Sequence, residues 1–207
     1  GVKYCIISHN NFAKQIAKIL KYSKKKNQPV ACLFKKNDLQ VYKKQNSKRN
    51  SINDKLINRE EFLKTFINLN RNYKVVSTTG FTSRELYQLR KKYNTNSGND
   101  FYMVGGMGHT SMVAFGYSIF SNKKVVCLDG DGSFLMHLGS AGTIAQYAKK
   151  NYKYILLNNG CHESVGGQPT IASNINIKKL SNSFGYKNYY LLSKELHIKT
   201  TLNKFLI

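Results

Sequence analysis

Short apolar runs alternate with stretches of helical periodicity along most of the chain. Two of these runs, residues 125–128 and 154–157, are apolar at every position, which is typical of parallel strands buried on both faces. Between them, residues 135–149 follow a helical pattern. Strands that alternate with helices in this way predict an α/β fold with a doubly wound parallel sheet, covered by helices on both faces.

The same patterns predict the other elements of the chain. Helices are expected over residues 12–22, 59–69, 81–92, 111–119, 177–184 and 194–205, and strands over residues 29–34, 74–80, 101–104 and 188–192. Glu60 and Glu61 follow Arg59 in the first turn of the second helix, where acidic side chains suit the helix dipole. Residues 35–58 are polar, charged and rich in asparagine, and we interpret them as a linker.

Composition restricts the classes of function. With 207 residues and 41% hydrophobic residues, the chain can bury the core of one large domain. Its formal net charge of +23 would suit nucleic acid or an anionic substrate. The lysines, however, are scattered among asparagines, and the sequence has neither a zinc-finger spacing nor an aromatic RNA-binding pattern. We therefore expect a solvated basic surface and no nucleic-acid partner.

The cysteines and the apolar runs bear on the compartment. Cys5, Cys32, Cys127 and Cys161 form no Cys-x-x-Cys pair, and three of them lie in or beside apolar runs. This pattern predicts reduced thiols in a cytoplasmic protein rather than disulfides or a zinc site. No apolar run approaches the ~20 residues of a membrane span, so we expect no membrane association.

The candidate chemistry lies where the two continuous apolar runs end. Gly130-Asp131-Gly132-Ser133 follows the first run and Asn158-Asn159-Gly160 follows the second, with Asn159 28 positions after Asp131. Neighbouring parallel strands bring both segments to the same edge of the sheet, where open α/β sheets bind ligands. Asp131 and Asn159 offer hard oxygen donors that suit Mg²⁺, and the glycines let a phosphate approach the backbone. The alternative is a tight strand–helix turn and an Asn-Gly turn without any ligand.

This spacing resembles the signature of thiamine-diphosphate enzymes, in which Gly-Asp-Gly is followed one strand later by Asn-Asn. Further motifs make the resemblance more specific, namely Ser77-Thr78-Thr79-Gly80, Thr82-Ser83-Arg84-Glu85, Gly106-Met107-Gly108-His109 and His162-Glu163-Ser164-Val165-Gly166-Gly167-Gln168-Pro169-Thr170. Together the motifs resemble the phosphonopyruvate decarboxylase family over residues 59–207, with sulfopyruvate decarboxylase as its sister family.

The resemblance implies the thiamine-diphosphate-binding fold and a thiamine-diphosphate- and Mg²⁺-dependent decarboxylation of a 2-oxo acid. The expected reaction converts 3-phosphonopyruvate to 2-phosphonoacetaldehyde and CO₂ in phosphonate biosynthesis. A sulfopyruvate decarboxylase subunit or another enzyme with the same cofactor is the first alternative. An inactive, orphan cofactor-binding module is the second.

The resemblance also implies roles for individual residues. The side chains of Asp131 and Asn159 and the carbonyl of Cys161 would hold Mg²⁺ on the diphosphate. The other cofactor contacts would come from Gly105, Met107, Gly130, Gly132 and Ser133. The candidate catalytic residues are His109, His162 and Glu163. Thr82, Ser83 and Arg84 stand at a helix start, which makes a natural site for the anionic group of the substrate.

Each of these secondary sites has an ordinary structural alternative. Met107, which the resemblance places under the cofactor, could pack in the core. His109 could bond a backbone group beside the glycine turn, and Arg84 could be a solvated residue at a helix start. His162 could fix its loop instead of moving protons. Gly106 departs from the family, where serine is more common, and this weakens any hydroxyl-dependent role at that position.

The resemblance assigns residues 1–34 to a remnant of the family's pyrimidine-binding domain and residues 59–207 to its pyrophosphate-binding domain. The acidic residue that activates the aminopyrimidine belongs to the former domain, most of which this sequence does not contain. We therefore expect as partners a small anionic 2-oxo acid and either a pyrimidine-binding domain or subunit, or a second copy of the chain. By itself, the chain is expected to bind the cofactor weakly, to self-associate and to show negligible turnover.

Overall fold

The structure, a computed structural model, describes residues 1–8, 10–36, 38–39, 57–70, 72–95 and 100–207. The chain separates into two compact units, Gly1–Asn53 and Asp54–Ile207. Most of the predicted linker lies outside the described residues, so the division into residues 1–34, 35–58 and 59–207 stays a prediction. Among the described residues, no helix combines the length and the apolar composition that crossing a membrane requires.

The first unit contains two parallel strands and one helix. β1 (Lys3–Ile6) pairs with β2 (Val30–Leu33), and α1 (Phe12–Lys26) connects them. β1 is too short and too mixed in polarity for its pattern to predict it. α1 runs beyond residue 22 because its last turn consists of lysines, which suit the negative end of the helix dipole. Asn27, in the left-handed conformation with φ of 49°, then ends the helix.

The second unit is built on a four-stranded parallel sheet. Its strands are β3 (Tyr73–Ser77), β4 (Asp100–Tyr102), β5 (Lys124–Gly130) and β6 (Tyr152–Leu157), in the spatial order β4-β3-β5-β6. Its helices are α2 (Arg59–Leu69), α3 (Phe81–Lys92), α4 (Thr110–Phe120), α5 (Asp131–Met136), α6 (Gly139–Tyr147), α7 (Ile177–Phe184) and α8 (Ile198–Leu206). A short antiparallel pair, β7 (Cys161–His162) and β8 (Gln168–Pro169), follows β6.

Helices cover both faces of this sheet, which confirms the predicted doubly wound α/β fold. Val75 packs in a cluster with residues of α2, α3 and α8, whereas its neighbour Val76 packs in a second cluster with residues of α4 and α6. Val126 and Val125 of β5 divide between the two clusters in the same way. Because consecutive residues are buried on opposite faces, the central residues of β5, 125–128, are apolar at every position rather than at alternate ones.

One predicted helix is in fact two helices. Instead of a single helix over residues 135–149, α5 begins at Asp131 and ends at Met136, and α6 begins at Gly139. The backbone of His137 is not helical, with φ of −131° and ψ of 49°. Its ring lies 2.4 Å from the place where a Cβ on Gly108 would stand. The break therefore occurs where His137 contacts Gly108, a residue distant in the sequence. The helical pattern of apolar residues does not predict such a contact.

The predicted strand over residues 188–192 is wrong. Residues 188–194 have no regular secondary structure, and β6 is the edge of the sheet among the described residues. Tyr190 packs edge-on against Phe205 of α8, with ring centroids 6.1 Å apart. This apolar segment is thus stabilised by α8 and not by a strand partner. The predicted last helix begins with a 3-10 turn (Glu195–His197) before α8.

A buried ion pair joins α3 to the edge strand β4. Arg90 donates from Nε to Asp100 Oδ2 at 2.8 Å and from Nη2 to Asp100 Oδ1 at 3.1 Å. The two side chains are 7% and 2% exposed. The Tyr102 hydroxyl donates to the same carboxylate at 2.9 Å, and burial together with that carboxylate raises the pKa of Tyr102.

We expect Asp100→Ala to lower the free energy of unfolding by ~3–5 kcal/mol, because the substitution leaves the Arg90 guanidinium buried without its partner. Urea unfolding followed by circular dichroism measures the loss. Glu60→Ala is the control, since Glu60 pairs with Lys64 at a more exposed site, where ion pairs contribute little. A loss of the same size in both variants would contradict the expectation.

Candidate functional site

β5 and β6 end side by side, and their ends define the candidate site. Their last registered pair is Gly130 and Leu157, so Asp131 and Asn158 follow at the same edge of the sheet. Gly130 is the N-cap residue of α5, whose first turn, Asp131-Gly132-Ser133, is buried. The Gly-Asp-Gly and Asn-Asn-Gly segments therefore meet at one edge of the sheet.

Hydrogen bonds connect Asp131 to the segment after β6. Asp131 is 2% exposed, and its carboxylate accepts a hydrogen bond from the Thr170 hydroxyl. The N–H of Thr170 in turn donates to the carbonyl oxygen of Gly160 at 2.9 Å. Thr170 therefore bridges the carboxylate after β5 and the glycine that follows Asn159.

Asn159 lies between β6 and β7, and both polar atoms of its side chain are engaged. Its Oδ1 accepts the N–H of Cys161 at 3.2 Å, and its Nδ2 donates to Oε2 of Glu163 at 3.2 Å. The antiparallel pairing of β7 and β8 folds this loop back and brings Thr170 to Asp131. The three predicted metal ligands thus belong to one hydrogen-bonded unit.

Gly132 leaves a space into which two other residues reach. A Cβ at this position would stand 2.5 Å from Cε1 and Nδ1 of the His162 ring and 3.2 Å from Cε of Met107. His162 and Met107 therefore converge on the turn from different segments of the chain. Only glycine permits so close an approach.

The turn before α4 contains glycines in the left-handed region. Gly105, Gly106 and Gly108 have φ values of 70°, 54° and 90°. The N–H of Gly108 donates to Ser133 Oγ at 3.1 Å, which connects this turn to α5. His109, the N-cap residue of α4, has an exposed ring tilted against that of His137, with centroids 4.2 Å apart. Met107 and His109 are thus held on either side of Gly108 beside the Gly-Asp-Gly turn.

The predicted substrate residues lie at the start of α3. Thr82 and Ser83 are buried, and the Ser83 hydroxyl donates to the carbonyl oxygen of Thr78 at 2.5 Å. This contact gives Ser83 a structural role in the turn after β3. Arg84 is exposed, and its guanidinium carbon lies 5.4 Å from the centroid of the Phe81 ring. The Arg84 side chain is therefore accessible to an anion, and substrate binding by these residues stays a prediction.

An arginine that the motifs did not indicate joins three segments. Arg59, the first residue of α2, donates to both carboxylate oxygens of Glu85, from Nε at 2.8 Å and from Nη2 at 2.6 Å. Its Nη1 donates to Oε2 of Glu163 at 2.7 Å. The hydrogen bonds to Glu85 and then to Glu163 raise the pKa of Arg59. The sequence could have indicated a special role for Arg59, because a cation at the start of a helix opposes the helix dipole and needs a partner elsewhere.

A second residue that the motifs did not indicate, Asp129, is fully buried directly before Gly130. Its Oδ2 accepts the Tyr154 hydroxyl at 2.8 Å, and its Oδ1 accepts the N–H of Gly130 at 2.9 Å. Burial raises the pKa of Asp129, although these hydrogen bonds oppose the shift. Asp129 thus joins the end of β5 to β6 beneath the candidate site.

The donors of the site fit a magnesium–diphosphate group. The Asp131 carboxylate, the Asn159 amide oxygen and the Cys161 carbonyl are hard oxygen donors of the kind that Mg²⁺ prefers. Gly132 keeps the turn free of a side chain at the point where His162 and Met107 converge. Within the described ranges, no group of three or more His, Cys, Asp and Glu side chains could hold a metal ion. Metal binding by this oxygen set stays a prediction.

A parallel sheet covered on both faces, with a Gly-Asp-Gly turn and an asparagine loop at the carboxyl ends of its strands, defines an α/β cofactor-binding domain. The family model of the thiamine pyrophosphate enzyme C-terminal TPP-binding domain matches residues 78–206, more than half of the chain. The chain belongs to this family, which confirms the family inferred from the motifs.

The relatives that match the chain include phosphonopyruvate decarboxylases and sulfopyruvate decarboxylases. A phosphonopyruvate decarboxylase from Streptomyces hygroscopicus is 44% identical over 113 residues, which are 55% of this chain and 27% of the relative. A sulfopyruvate decarboxylase subunit beta from Methanothermobacter thermautotrophicus is 37% identical over 128 residues, which are 62% of this chain and 66% of the relative. The chain therefore spans about a quarter of the former relative and just under two thirds of the latter.

We expect Gly132→Ala to lower the free energy of unfolding by ~1–3 kcal/mol, because the added methyl group overlaps the His162 ring and overpacking costs about this much. Urea unfolding measures the change. Gly116→Ala in α4 is the matched control, since a Cβ there meets no atom within 4 Å and alanine should stabilise the helix by ~0.5–1 kcal/mol.

Adding His162→Ala to Gly132→Ala removes the overlapping ring and should recover part of the loss. If Gly132→Ala is as stable as Gly116→Ala, the close approach at Gly132 does not constrain the site.

Proposed function

We propose that this chain is the cofactor-binding part of a thiamine-diphosphate- and Mg²⁺-dependent 2-oxo acid decarboxylase. The proposed reaction converts 3-phosphonopyruvate to 2-phosphonoacetaldehyde and CO₂, a step of phosphonate biosynthesis. The observation that carries the proposal is the buried Asp131 carboxylate, joined through Thr170 to the Asn159 loop in a domain of this family. Identities of 44% and 42% to two phosphonopyruvate decarboxylases, against 37% and 36% to two sulfopyruvate decarboxylase beta subunits, favour the phosphono acid as substrate.

The proposal gives each part of the cofactor a set of contacts. Asp131, Asn159 and the Cys161 carbonyl would hold Mg²⁺ against the diphosphate, with waters completing the coordination as is usual for this ion. Ser133, which already accepts the N–H of Gly108, lies in the same turn. Met107, whose methyl group reaches the Gly132 turn, would support the cofactor ring.

Thiamine diphosphate, when bound, supplies the carbanion-stabilising chemistry that decarboxylation needs. The residues of this chain bind the diphosphate, orient the ring and exclude water. His162 beside Gly132 and His109 at the start of α4 are the groups proposed to transfer protons. Glu163 already accepts hydrogen bonds from Arg59 and Asn159, which suits a positioning role.

The substrate carries a second anionic group, which requires donors of its own. The start of α3 offers helix N–H groups and the exposed Arg84 guanidinium, and both favour an anion. Thr82 lies in the same turn. We assign the phosphonate to this helix start, with Arg84 as its main charged contact.

Sulfopyruvate is the second candidate substrate, because a sulfopyruvate decarboxylase beta subunit is 37% identical to the chain over 128 residues. With this substrate, the chain would work with a separate pyrimidine-binding subunit. Phosphonate and sulfonate are both tetrahedral anionic groups, so either substrate would use the start of α3.

We expect binding of thiamine diphosphate to require Mg²⁺ and to weaken by ~100-fold or more in Asp131→Ala and in Asn159→Ala. The diphosphate is repelled by the surrounding carboxylates unless a cation lies between them, and loss of groups that merely orient metal ligands already costs ~10–100-fold. Isothermal titration calorimetry with Mg²⁺ or with EDTA measures the affinity, and Glu60→Ala is an exposed acidic control. Equal affinity with EDTA present would refute the metal site.

We expect Arg84→Ala to raise the KM for 3-phosphonopyruvate far more than the KM for pyruvate, which lacks the second anion. A hydrogen bond to a charged group contributes ~1.5–3 kcal/mol, which corresponds to roughly tenfold or more. Turnover is measured with a pyrimidine-binding domain supplied in trans and with 3-phosphonopyruvate, sulfopyruvate and pyruvate in parallel.

Lys92→Ala at the other end of α3 is the control for this series. An equal loss on 3-phosphonopyruvate and pyruvate would make Arg84 a structural residue. No turnover of any 2-oxo acid, despite bound thiamine diphosphate and Mg²⁺, would count against the proposed activity itself.

A further inference from the structure

Arg59 occupies a position that the electrostatics of helices disfavour. Asn58 caps α2 by accepting the N–H groups of Glu60 and Glu61 at 2.8 Å and 3.4 Å. The two glutamates also suit the positive end of the helix dipole, whereas a cation at the first helical residue opposes it. The guanidinium of Arg59 must therefore be stabilised by groups outside its own helix.

Two carboxylates from other segments supply this stabilisation. Glu85 of α3 accepts two hydrogen bonds from Arg59, at 2.8 Å and 2.6 Å, in the bidentate geometry that fixes the plane of a guanidinium. The Arg59 and Glu85 side chains are 22% and 29% exposed. Because the bidentate pair fixes the guanidinium plane, the remaining Nη1 group has a set direction, and it reaches Glu163 at 2.7 Å.

Glu163 connects the fixed Arg59 guanidinium to the side-chain amide of Asn159. A single oxygen of Glu163, Oε2, accepts hydrogen bonds from both Arg59 Nη1 and Asn159 Nδ2. A carboxylate only accepts, so it selects the amide orientation in which Nδ2 faces Glu163 and Oδ1 faces away. The opposite orientation would turn the –NH₂ group toward the N–H of Cys161, which now donates to Oδ1, and toward the proposed metal, which an –NH₂ group cannot bind.

We propose that Arg59 is a positioning residue of the metal site. Through Glu163, it holds the Asn159 amide with its oxygen available to Mg²⁺, and Glu85 holds Arg59 in place. Arg59 also neutralises Glu163, which would otherwise repel the diphosphate or compete as a ligand. This inference rests on the proposed Mg²⁺–thiamine-diphosphate site.

A purely structural role of Arg59 makes a different prediction. If Arg59 served only to join α2 to α3, its removal would lower stability without any dependence on Glu163. A positioning role instead requires that the effect on metal binding passes through Glu163. Metal affinity and thermal stability, measured separately, therefore distinguish the two roles.

The experiment uses the full 207-residue chain with thiamine diphosphate and Mn²⁺, a paramagnetic substitute for Mg²⁺. Free Mn²⁺ is measured by electron paramagnetic resonance, and the melting temperature is measured without ligands. We expect Arg59→Gln to weaken Mn²⁺ binding by ~10–100-fold, the usual effect of losing a group that orients a metal ligand. Arg59→Lys should recover only part of the affinity, because an ammonium group cannot make the bidentate pair and the third contact together.

Lys64→Ala is the matched control, since this cation of α2 pairs only with Glu60 and Glu61 among the described ion pairs. It should keep the Mn²⁺ affinity of the wild-type chain. Equal Mn²⁺ affinities of Arg59→Gln and Lys64→Ala would overturn the proposal.

Glu163→Ala tests the connection separately, because it leaves the Arg59–Glu85 pair intact. We expect a comparable loss of Mn²⁺ affinity with a smaller change in melting temperature. The double variant Arg59→Gln/Glu163→Ala should lose no more affinity than Glu163→Ala alone, since the two residues act in series. Additive losses would show that Arg59 acts by another route and would overturn the proposal. If the wild-type chain binds no Mn²⁺ in a cofactor-dependent way, the proposed function fails and this inference with it.

Discussion

The common end of β5 and β6 is the constraint on which the candidate site depends. Their parallel ladder runs to Gly130 and Leu157, so both segments leave the sheet at the same point. Asp131 is then buried, and a buried carboxylate is costly unless it is hydrogen-bonded. The loop after β6 must fold back to bring the Thr170 hydroxyl to it. The hydrogen bond from Thr170 therefore compensates the burial of Asp131 and also fixes the loop that contains Asn159.

The charge of the site differs from the charge of the chain. The net charge of +23 attracts anions, over a distance that is limited because dissolved ions screen the charges. Only ten residues are acidic, yet four of them, Glu85, Asp129, Asp131 and Glu163, lie in or directly beneath the site. A diphosphate drawn to the basic surface would meet local carboxylates and would be repelled unless a cation separated them. The proposed requirement for Mg²⁺ is thus local, and the basic surface would not replace it.

Features that depend on periodicity were predictable from the sequence, and features that depend on distant contacts were not. The continuous apolar runs indicated β5 and β6 because each strand packs against apolar clusters on two faces. The break at His137 and the contact between Arg59 and Glu163, 104 positions apart, leave no periodic signal. The predicted strand over residues 188–192 failed for the converse reason. Its apolar residues are only partly covered, with Tyr190 against Phe205 of α8, and an apolar run alone does not distinguish a strand from an extended segment without a strand partner.

The hydrogen bonds of the site do not use all the lone pairs of the oxygens that are proposed to bind the metal. Thr170 engages Oδ2 of Asp131, and a carboxylate has a second oxygen that can bind a cation. The Asn159 oxygen accepts one N–H, from Cys161, and an amide oxygen has two lone pairs. The side chains of Asp131 and Asn159 are therefore oriented by the protein, and each oxygen set keeps a lone pair that could coordinate the proposed metal. Such an arrangement suits Mg²⁺, which takes few protein ligands and keeps waters. The conformational entropy of these side chains is lost when the protein folds, so binding would not have to order them again.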